Sequence, residues 1–176
     1  MLYIVEMDFR QASREAEWSR WYDEHITGLL AMPGLSSAQR FKCLSPHPSP
    51  YLAIYSVSGP QFFASAAYRR RGGPDSTGEW RPLMSNWHRN LYQGLDVAPE
   101  VSEDQALILT EVDASSPALQ AWELTWLDNV GLDQTIGRRG IAVVPGRDAE
   151  TIWTKTAAAV RAYQPLGARR AAQVNG

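Results

Sequence analysis

The chain has little of two features that would assign it to a particular class of protein: cysteine and long apolar runs. Its single cysteine, Cys43, excludes an internal disulfide and gives no reason to expect an oxidising compartment. No apolar run approaches the roughly 20 residues that a membrane-spanning helix needs. The first residues, Met-Leu-Tyr-Ile-Val-Glu, are typical of a strand and not of a signal peptide. We therefore expect a cytoplasmic protein without a membrane partner.

Charge and motifs exclude several functions. The 17 basic and 19 acidic residues leave a net charge of -2, and the basic residues are scattered, so we expect no nucleic-acid partner. The sequence contains no phosphate-binding glycine loop, no nucleophile elbow and no CxxC pair. Three separated histidines and one cysteine do not form a zinc-binding pattern. We predict neither metal nor cofactor, so that an enzyme here would work by proton transfer, electrostatics and positioning.

The first 95 residues show the order of a split βαβ unit and form the first predicted domain. Strands are predicted at 2–9, 36–43, 51–57 and about 87–93, with helices at 11–32 and about 60–70. Pro33 and Gly34 end the first helix, because proline lacks the N–H donor and glycine accepts a positive φ. This βαββαβ order gives an α+β fold with an antiparallel sheet and both helices on one face.

The rest of the chain is less regular. Residues 96–104 are typical of a linker, and 105–166 are predicted to be a second, degraded α+β half or an appendage. Its elements are predicted as strands at 105–112 and 140–144, a strand or helix at 122–127, and an amphipathic helix at 148–163. Residues 167–176 are expected to be a flexible tail.

One stretch carries a resemblance to a known family. Trp21-Tyr22-Asp23-Glu24-His25 leads through Leu29-Leu30 and Pro33-Gly34-Leu35 to a strand with Gln39-Arg40-Phe41. This succession resembles the first helix and second strand of the dimeric α+β barrel superfamily, which includes EthD-like proteins, muconolactone isomerases and cofactor-free polyketide monooxygenases. The resemblance covers about residues 1–95. It implies a ferredoxin-like half-barrel, a pocket between sheet and helices, and pairing of two half-barrels as a homodimer.

The length of the chain leaves two ways to complete such a barrel. A four-stranded sheet with helices on one face leaves its other apolar face bare, and a chain of this size cannot leave it exposed. Either a second copy covers it, as in the family, or residues 105–163 do. The second half is then either a decayed repeat that completes the barrel within one chain or an appendage to the dimer.

His25 and Arg40 are the leading candidates for chemistry. His25 lies on the aromatic stripe of the first helix, where an imidazole that titrates near neutrality could move a proton. The alternative is a core histidine bonded to a backbone carbonyl. Arg40 could act as a carboxylate clamp if it points inward, or be a solvated arginine if it points outward. His47, between two prolines, is expected to be exposed.

The run around residues 86–92 supplies further candidates. Alternation would place Trp87, Arg89 and Leu91 on one face of a strand and His88, Asn90 and Tyr92 on the other. His88 is a third candidate catalytic residue, beside the alternative of an ordinary edge-strand histidine. The candidate substrate-binding residues are Trp21, Tyr22, Tyr68, Asn86, Trp87 and Asn90.

These observations favour a cofactor-independent enzyme of aromatic-compound catabolism that acts on a small carboxylate or aromatic molecule. The first hypothesis is an isomerase or lyase that transfers a proton on an unsaturated, muconate-like ring-cleavage acid. The alternatives are a cofactor-independent monooxygenase on a phenolic or polyketide substrate, an ester hydrolase on a ring-cleavage product, and a non-catalytic ligand-binding accessory protein.

Overall fold

Eight antiparallel strands close into one barrel in the computed structural model, which describes residues 1–112, 119, 122–149 and 160–173. A ninth, very short strand lies outside the ring. The strands are β1 (Leu2–Phe9), β2 (Leu35–Cys43), β3 (Tyr51–Val57), β4 (Met84–Gln93), β5 (Gln105–Thr110), β6 (Thr125–Leu132), β7 (Arg138–Pro145), β8 (Val160–Pro165) and β9 (Arg170–Ala171). The helices of the first half are α1 (Glu15–Leu30), α2 (Gln61–Ala64) and α3 (Ala66–Arg71), with 3₁₀ segments at Ala12–Arg14 and Pro74–Leu83.

Each half of the chain contributes four neighbouring strands to the ring. The order around the barrel is β3-β1-β4-β6-β7-β5-β8-β2, and β2 pairs again with β3. Within each half the strands follow the same order: second, third, first, fourth. The fourth strand of each half pairs with the second strand of the other, through β4–β6 and β2–β8. Of the two coverings that the sequence left open for this face, the structure has the second: the second half of the same chain covers it.

The split between barrel interior and exterior follows from strand alternation. Leu2, Ile4 and Glu6 of β1 point into the barrel, where apolar residues of both halves form one core. Tyr3 and Val5, on the opposite face, pack against the buried stripe of α1. That stripe is Trp18, Tyr22, Ile26 and Leu29, at spacings of three and four residues.

One prediction for the second half is corrected and one open alternative is resolved. The helix predicted at 148–163 is wrong at its end, because Val160–Pro165 is strand β8, paired with β5 and β2. Its last predicted apolar position, Tyr163, lies in the barrel core. The ambiguous segment 122–127 leads into strand β6, which begins at Thr125. Residues 150–159 of the predicted helix lie outside the described residues.

The predicted tail also contains an ordered contact. Arg170 and Ala171 pair as β9 with Ala38 and Ser37 of β2. Among the described residues, no helix has both the length and the apolar character needed to cross a membrane.

A buried ion network links the two halves inside the barrel. Glu6 of β1 accepts hydrogen bonds from Arg139 of β7 at 2.9 Å and from Arg161 of β8 at 3.0 Å. Both arginines also bond Glu111, which follows β5. Nε2 of His47 lies 3.2 Å from Nη1 of Arg161. The sequence predicted an exposed histidine here, and the structure corrects this, because His47 is half-buried.

Removing one arginine from this network should destabilise the fold far more than removing its neighbour on the same strand. Arg139 is 0% exposed, so Arg139→Met should lower the free energy of unfolding in urea by about 3 kcal/mol. This is the low end for a broken buried pair, because Arg161 still neutralises Glu6. Arg138, 64% exposed and 3.6 Å from Asp128, is the control, and Arg138→Met should cost at most about 1 kcal/mol. Equal losses would show that the network does not stabilise the barrel.

Candidate functional site

A small cavity lies between the outer face of the first-half sheet and the helices that cover it. Its walls come from β1, β3, β4, α1, α3 and the 3₁₀ segment Pro74–Leu83. The lining residues are Tyr3, Val5, Met7, Trp21, Tyr22, His25, Leu29, Tyr55, Tyr68, Gly73, Thr77, Met84 and Trp87. Its volume is about 20 Å³, enough for about one water molecule. An aromatic ligand therefore has to displace part of the wall in order to enter.

Five of the nine sequence-predicted site residues meet at this cavity: Trp21, Tyr22 and His25 from α1, Tyr68 from α3, and Trp87 from β4. The helical spacing of the first three explains why they share one wall. Tyr68 is held by the start of α3, where the Ser65 hydroxyl accepts a hydrogen bond from the Tyr68 backbone N–H at 3.2 Å.

The other four predicted residues lie elsewhere. Arg40 projects to the helix-covered face of β2 but is held by Asp23 and Ser19 behind the Tyr22 ring. His88 and Asn90 lie on the barrel-interior face, because they pair in register with Glu6 and Ile4. Their role beside His25 is therefore corrected: the sheet separates them from the cavity. The Asn90 side chain is fully buried and bonds Thr135 and Asn129.

Asn86 has a backbone role. Glu6 pairs with His88 while Asp8 pairs with Ser85, so β4 carries one extra residue at this point. Asn86 takes a φ of 45°, and its side chain donates a hydrogen bond to the Pro48 carbonyl at 2.7 Å. Such a bulge re-aims nearby side chains. It accompanies the turn of Trp87 toward the cavity, although Asn86 itself does not line it.

His25 lies at the cavity wall as a neutral imidazole without a hydrogen-bond partner among the described residues. Its ring stacks on Trp21, with 5.1 Å between centroids, and meets the edge of Tyr22 at 6.0 Å. No described residue forms a hydrogen bond with the imidazole, so the alternative of a carbonyl-bonded core histidine does not hold within the described chain. Burial lowers the pKa of His25 to about 4, so the ring is neutral at pH 7 with a free lone pair, and it is a weaker base than a solvated imidazole.

Four tyrosines form the polar part of the cavity lining: Tyr3, Tyr22, Tyr55 and Tyr68. The Tyr3 and Tyr68 hydroxyl oxygens are 3.5 Å apart, and the Tyr55 hydroxyl donates to that of Tyr22 at 3.4 Å. The rings of Tyr3 and Tyr55 stack at 5.3 Å. Burial raises the pKa of Tyr3, Tyr22 and Tyr55, so these phenols stay protonated and can donate hydrogen bonds.

Trp87 contributes a buried donor. Its indole Nε1 has no hydrogen-bond partner among the described residues, although its ring lines the cavity. Arg81 and Arg89 pack over that ring at 4.5 and 5.8 Å. A buried N–H without an acceptor is costly, and an oxygen atom of a ligand would be a suitable partner.

Sequence reasoning missed the contributions of β1 and β3. Tyr3 and Tyr55 are directly opposite each other in the strand register and both face α1. The alternation of β1 was visible in the sequence. The signal that could have found these residues was a tyrosine on the same face of each of two paired strands. Which face the helices cover became known only from the tertiary structure. Among the described residues, no group of three histidine, cysteine or acidic side chains could hold a metal ion.

Comparison with known proteins finds solved structures of similar fold. No family model matches the chain, and no curated protein matches it. A solved structure described as an "anthrone oxidase-like protein" aligns with 97% of this chain and 93% of its own, at 11% identity and a TM-score of 0.57. A "putative monooxygenase" from Fusobacterium nucleatum subsp. nucleatum aligns with 95% and 93%, at 10% identity and a TM-score of 0.56. At these identities the likeness shows the fold, which fits the dimeric α+β barrel class with both halves in one chain.

The low pKa of His25 should make the fold less stable in mild acid. The unfolded histidine binds a proton near pH 6.5 and the folded one only near pH 4, so its contribution is complete above pH 6.5 and is lost as the pH falls toward 4. The total loss is up to about 3 kcal/mol. The unfolding free energy of His25→Gln should therefore fall less between pH 7 and pH 4 than that of the wild-type protein, by up to that amount. Burial also lowers the pKa of His47, and this contribution persists in the variant. Identical pH profiles would show that the His25 pKa is not depressed.

Proposed function

We propose that this chain is a cofactor-independent monooxygenase that oxidises a phenolic or polyketide-type aromatic substrate in the cavity beside His25. The observation that carries the proposal is the unoccupied, neutral imidazole in a cavity walled by indoles and phenols. The two fold neighbours are described as anthrone oxidase-like and as a monooxygenase, which favours this reading over proton-transfer isomerisation. Location in the cytoplasm remains a prediction from the sequence.

The chemistry needs a base, a dry cavity and dioxygen. His25 would take a proton from an acidic C–H or O–H of the substrate and leave a carbanion or phenolate. This anion gives one electron to O₂, and the two radicals combine into a carbon-bound peroxide. Loss of the second C–H proton then breaks the O–O bond and forms a carbonyl and water. For anthrone the balance is C₁₄H₁₀O + O₂ → C₁₄H₈O₂ + H₂O.

The remaining wall residues would orient the oxygen atoms. The hydroxyls of Tyr3, Tyr22 and Tyr55 remain protonated and can donate hydrogen bonds to a developing oxyanion, which is the usual way in which such sites stabilise charge. The unpartnered Trp87 N–H can bind a substrate carbonyl or phenol oxygen. The flat faces of Trp21 and His25 suit a stacked aromatic ring.

Two other hypotheses lose their support at this cavity. A muconate-like acid needs a cation for its carboxylate, but Arg40, the predicted partner, is paired with Asp23 and does not line the cavity. An ester hydrolase commonly uses a serine or cysteine nucleophile, and neither is among the lining residues of the described chain, where Thr77 supplies the one aliphatic hydroxyl.

We also propose that the second half is a decayed copy of the first and that each chain has one active site. The shared strand order supports duplication. The outer face of the second-half sheet carries small aliphatic side chains, among them Ile108, Ala142, Val144 and Ala162. No imidazole or phenol occupies this face in the described part of the chain, so the chemistry of the first half has no counterpart there.

The test is oxygen uptake with anthrone, compared between two histidine variants. His25→Gln keeps a hydrogen-bonding side chain but cannot accept the proton, so kcat should fall roughly 10²–10⁴-fold. His88→Gln changes a histidine on the other face of the same sheet and should retain activity. Anthraquinone formation with one O₂ consumed per turnover would support the proposal. Anthrone binding without oxygen uptake by the wild-type protein would instead identify a ligand-binding protein, and equal losses in both variants would reject His25 as the base.

A further inference from the structure

Arg40 is a buried cation whose charge is only partly neutralised. Its side chain is 6% exposed, and Nη1 donates to the Asp23 carboxylate at 3.0 Å and to the carbonyl and hydroxyl of Ser19. Its Nη2 is buried and has no partner among the described residues. Asp23 is 55% exposed, so water screens the acid more strongly than the arginine. A net positive field therefore remains on the side of the cavity.

The guanidinium of Arg40 packs against Tyr22, an aromatic residue that lines the cavity. Its Cζ atom lies 4.5 Å from the centroid of Tyr22 and 5.3 Å from that of Trp18. Tyr22 is also part of the candidate site, because it lines the cavity and its hydroxyl accepts a hydrogen bond from that of Tyr55. Burial raises the pKa of both phenols, and Arg40 acts against it by favouring their charged forms.

No described residue that lines the cavity cancels this charge. The α1 wall adds the neutral His25, and β1 and α3 add the Tyr3 and Tyr68 phenols. β4 adds a second cation, Arg89, which is paired with Asp133 at 3.2 Å. None of the described lining residues is acidic. The cavity is therefore positively polarised without holding a free cation in direct contact with a ligand.

We propose that Arg40 acts through the Tyr22 ring as a fixed positive charge that holds an aromatic substrate in the cavity as its anion. The inference rests on the proposed function, because the anion is the species that proton transfer to His25 would leave in the cavity. A charge fixed behind a low-dielectric wall stabilises an anion without reorganisation. Arg40 is then a positioning residue that acts on the substrate's charge, not the direct carboxylate ligand that the sequence suggested.

The probe is 4-nitrophenol, whose anion absorbs near 400 nm, titrated with pH in the presence of excess protein. The wild-type protein should bind the anion more tightly than the neutral phenol and so lower the pKa of the bound probe. Arg40→Met should weaken binding of the anion about tenfold, which raises the pKa of the bound probe by about one unit. Binding of nitrobenzene, which has no ionisable proton, should stay the same. The control is Lys42→Met, the same loss of charge two residues along β2, where the lysine pairs with Glu15; it should leave the bound probe unchanged.

A second variant should shift the pKa of the bound probe in the opposite direction, and its position outside the core makes loss of folding less of a concern. Asp23→Asn removes the partner of Arg40 at an exposed position, so the pKa of the bound probe should fall further. An unchanged probe pKa in Asp23→Asn, or in a folded Arg40→Met protein, would overturn the inference. So would a wild-type protein that binds nitrobenzene as tightly as the anion. None of these results depends on turnover: a positive probe result without oxygen uptake would leave the inference standing and reject the oxygenase.

Discussion

The constraint on which the structure depends is that the first-half sheet has two apolar faces. Leu2 and Ile4 point to one side of β1 and Tyr3 and Val5 to the other, so a single layer of helices cannot cover both. The second half covers the first of these faces by closing the barrel, and α1 covers the other. Burial of about 25 cal/mol per Å² of apolar surface makes both coverings obligatory for a domain of this size. The candidate site follows from the second covering, because it lies where α1 and the sheet fail to fill the space between them.

Desolvation gives this site its chemical character. The burial that places α1 on the sheet also removes water from His25, so its imidazole is a neutral base at pH 7. The same burial keeps the phenols of Tyr3, Tyr22 and Tyr55 protonated, and under our proposal for Arg40 it would leave the charge behind the Tyr22 ring little screened. Proton acceptor, hydrogen-bond donors and positive field thus arise from one packed interface, without a cofactor motif in the sequence.

The predictions that succeeded rest on local periodicity. Helical spacing placed Trp21, Tyr22 and His25 on one face, and strand alternation separated Trp87 from His88 and Asn90, as the register confirms. The failures concern contacts that periodicity does not contain. Arg40 and Phe41 were known to face opposite ways, but only the packed structure shows that Arg40 meets Asp23 before it could reach a ligand. The predicted helix 148–163 fits a helical period, yet its last residues, from Val160 on, pair with β5 and β2 as a strand.

The sequence by itself therefore determined the α+β class, the βαββαβ order of the first half and the face on which His25 lies, because each depends on side chains a few residues apart. The tertiary structure decided that one chain closes the barrel, that His88 and His25 lie on opposite faces of one sheet, and that Tyr3 and Tyr55 join the site. These depend on contacts between residues far apart in the chain, such as Glu6 with Arg139 and Arg161. Such contacts are selected by the joint burial of many side chains and leave no signal at any single position.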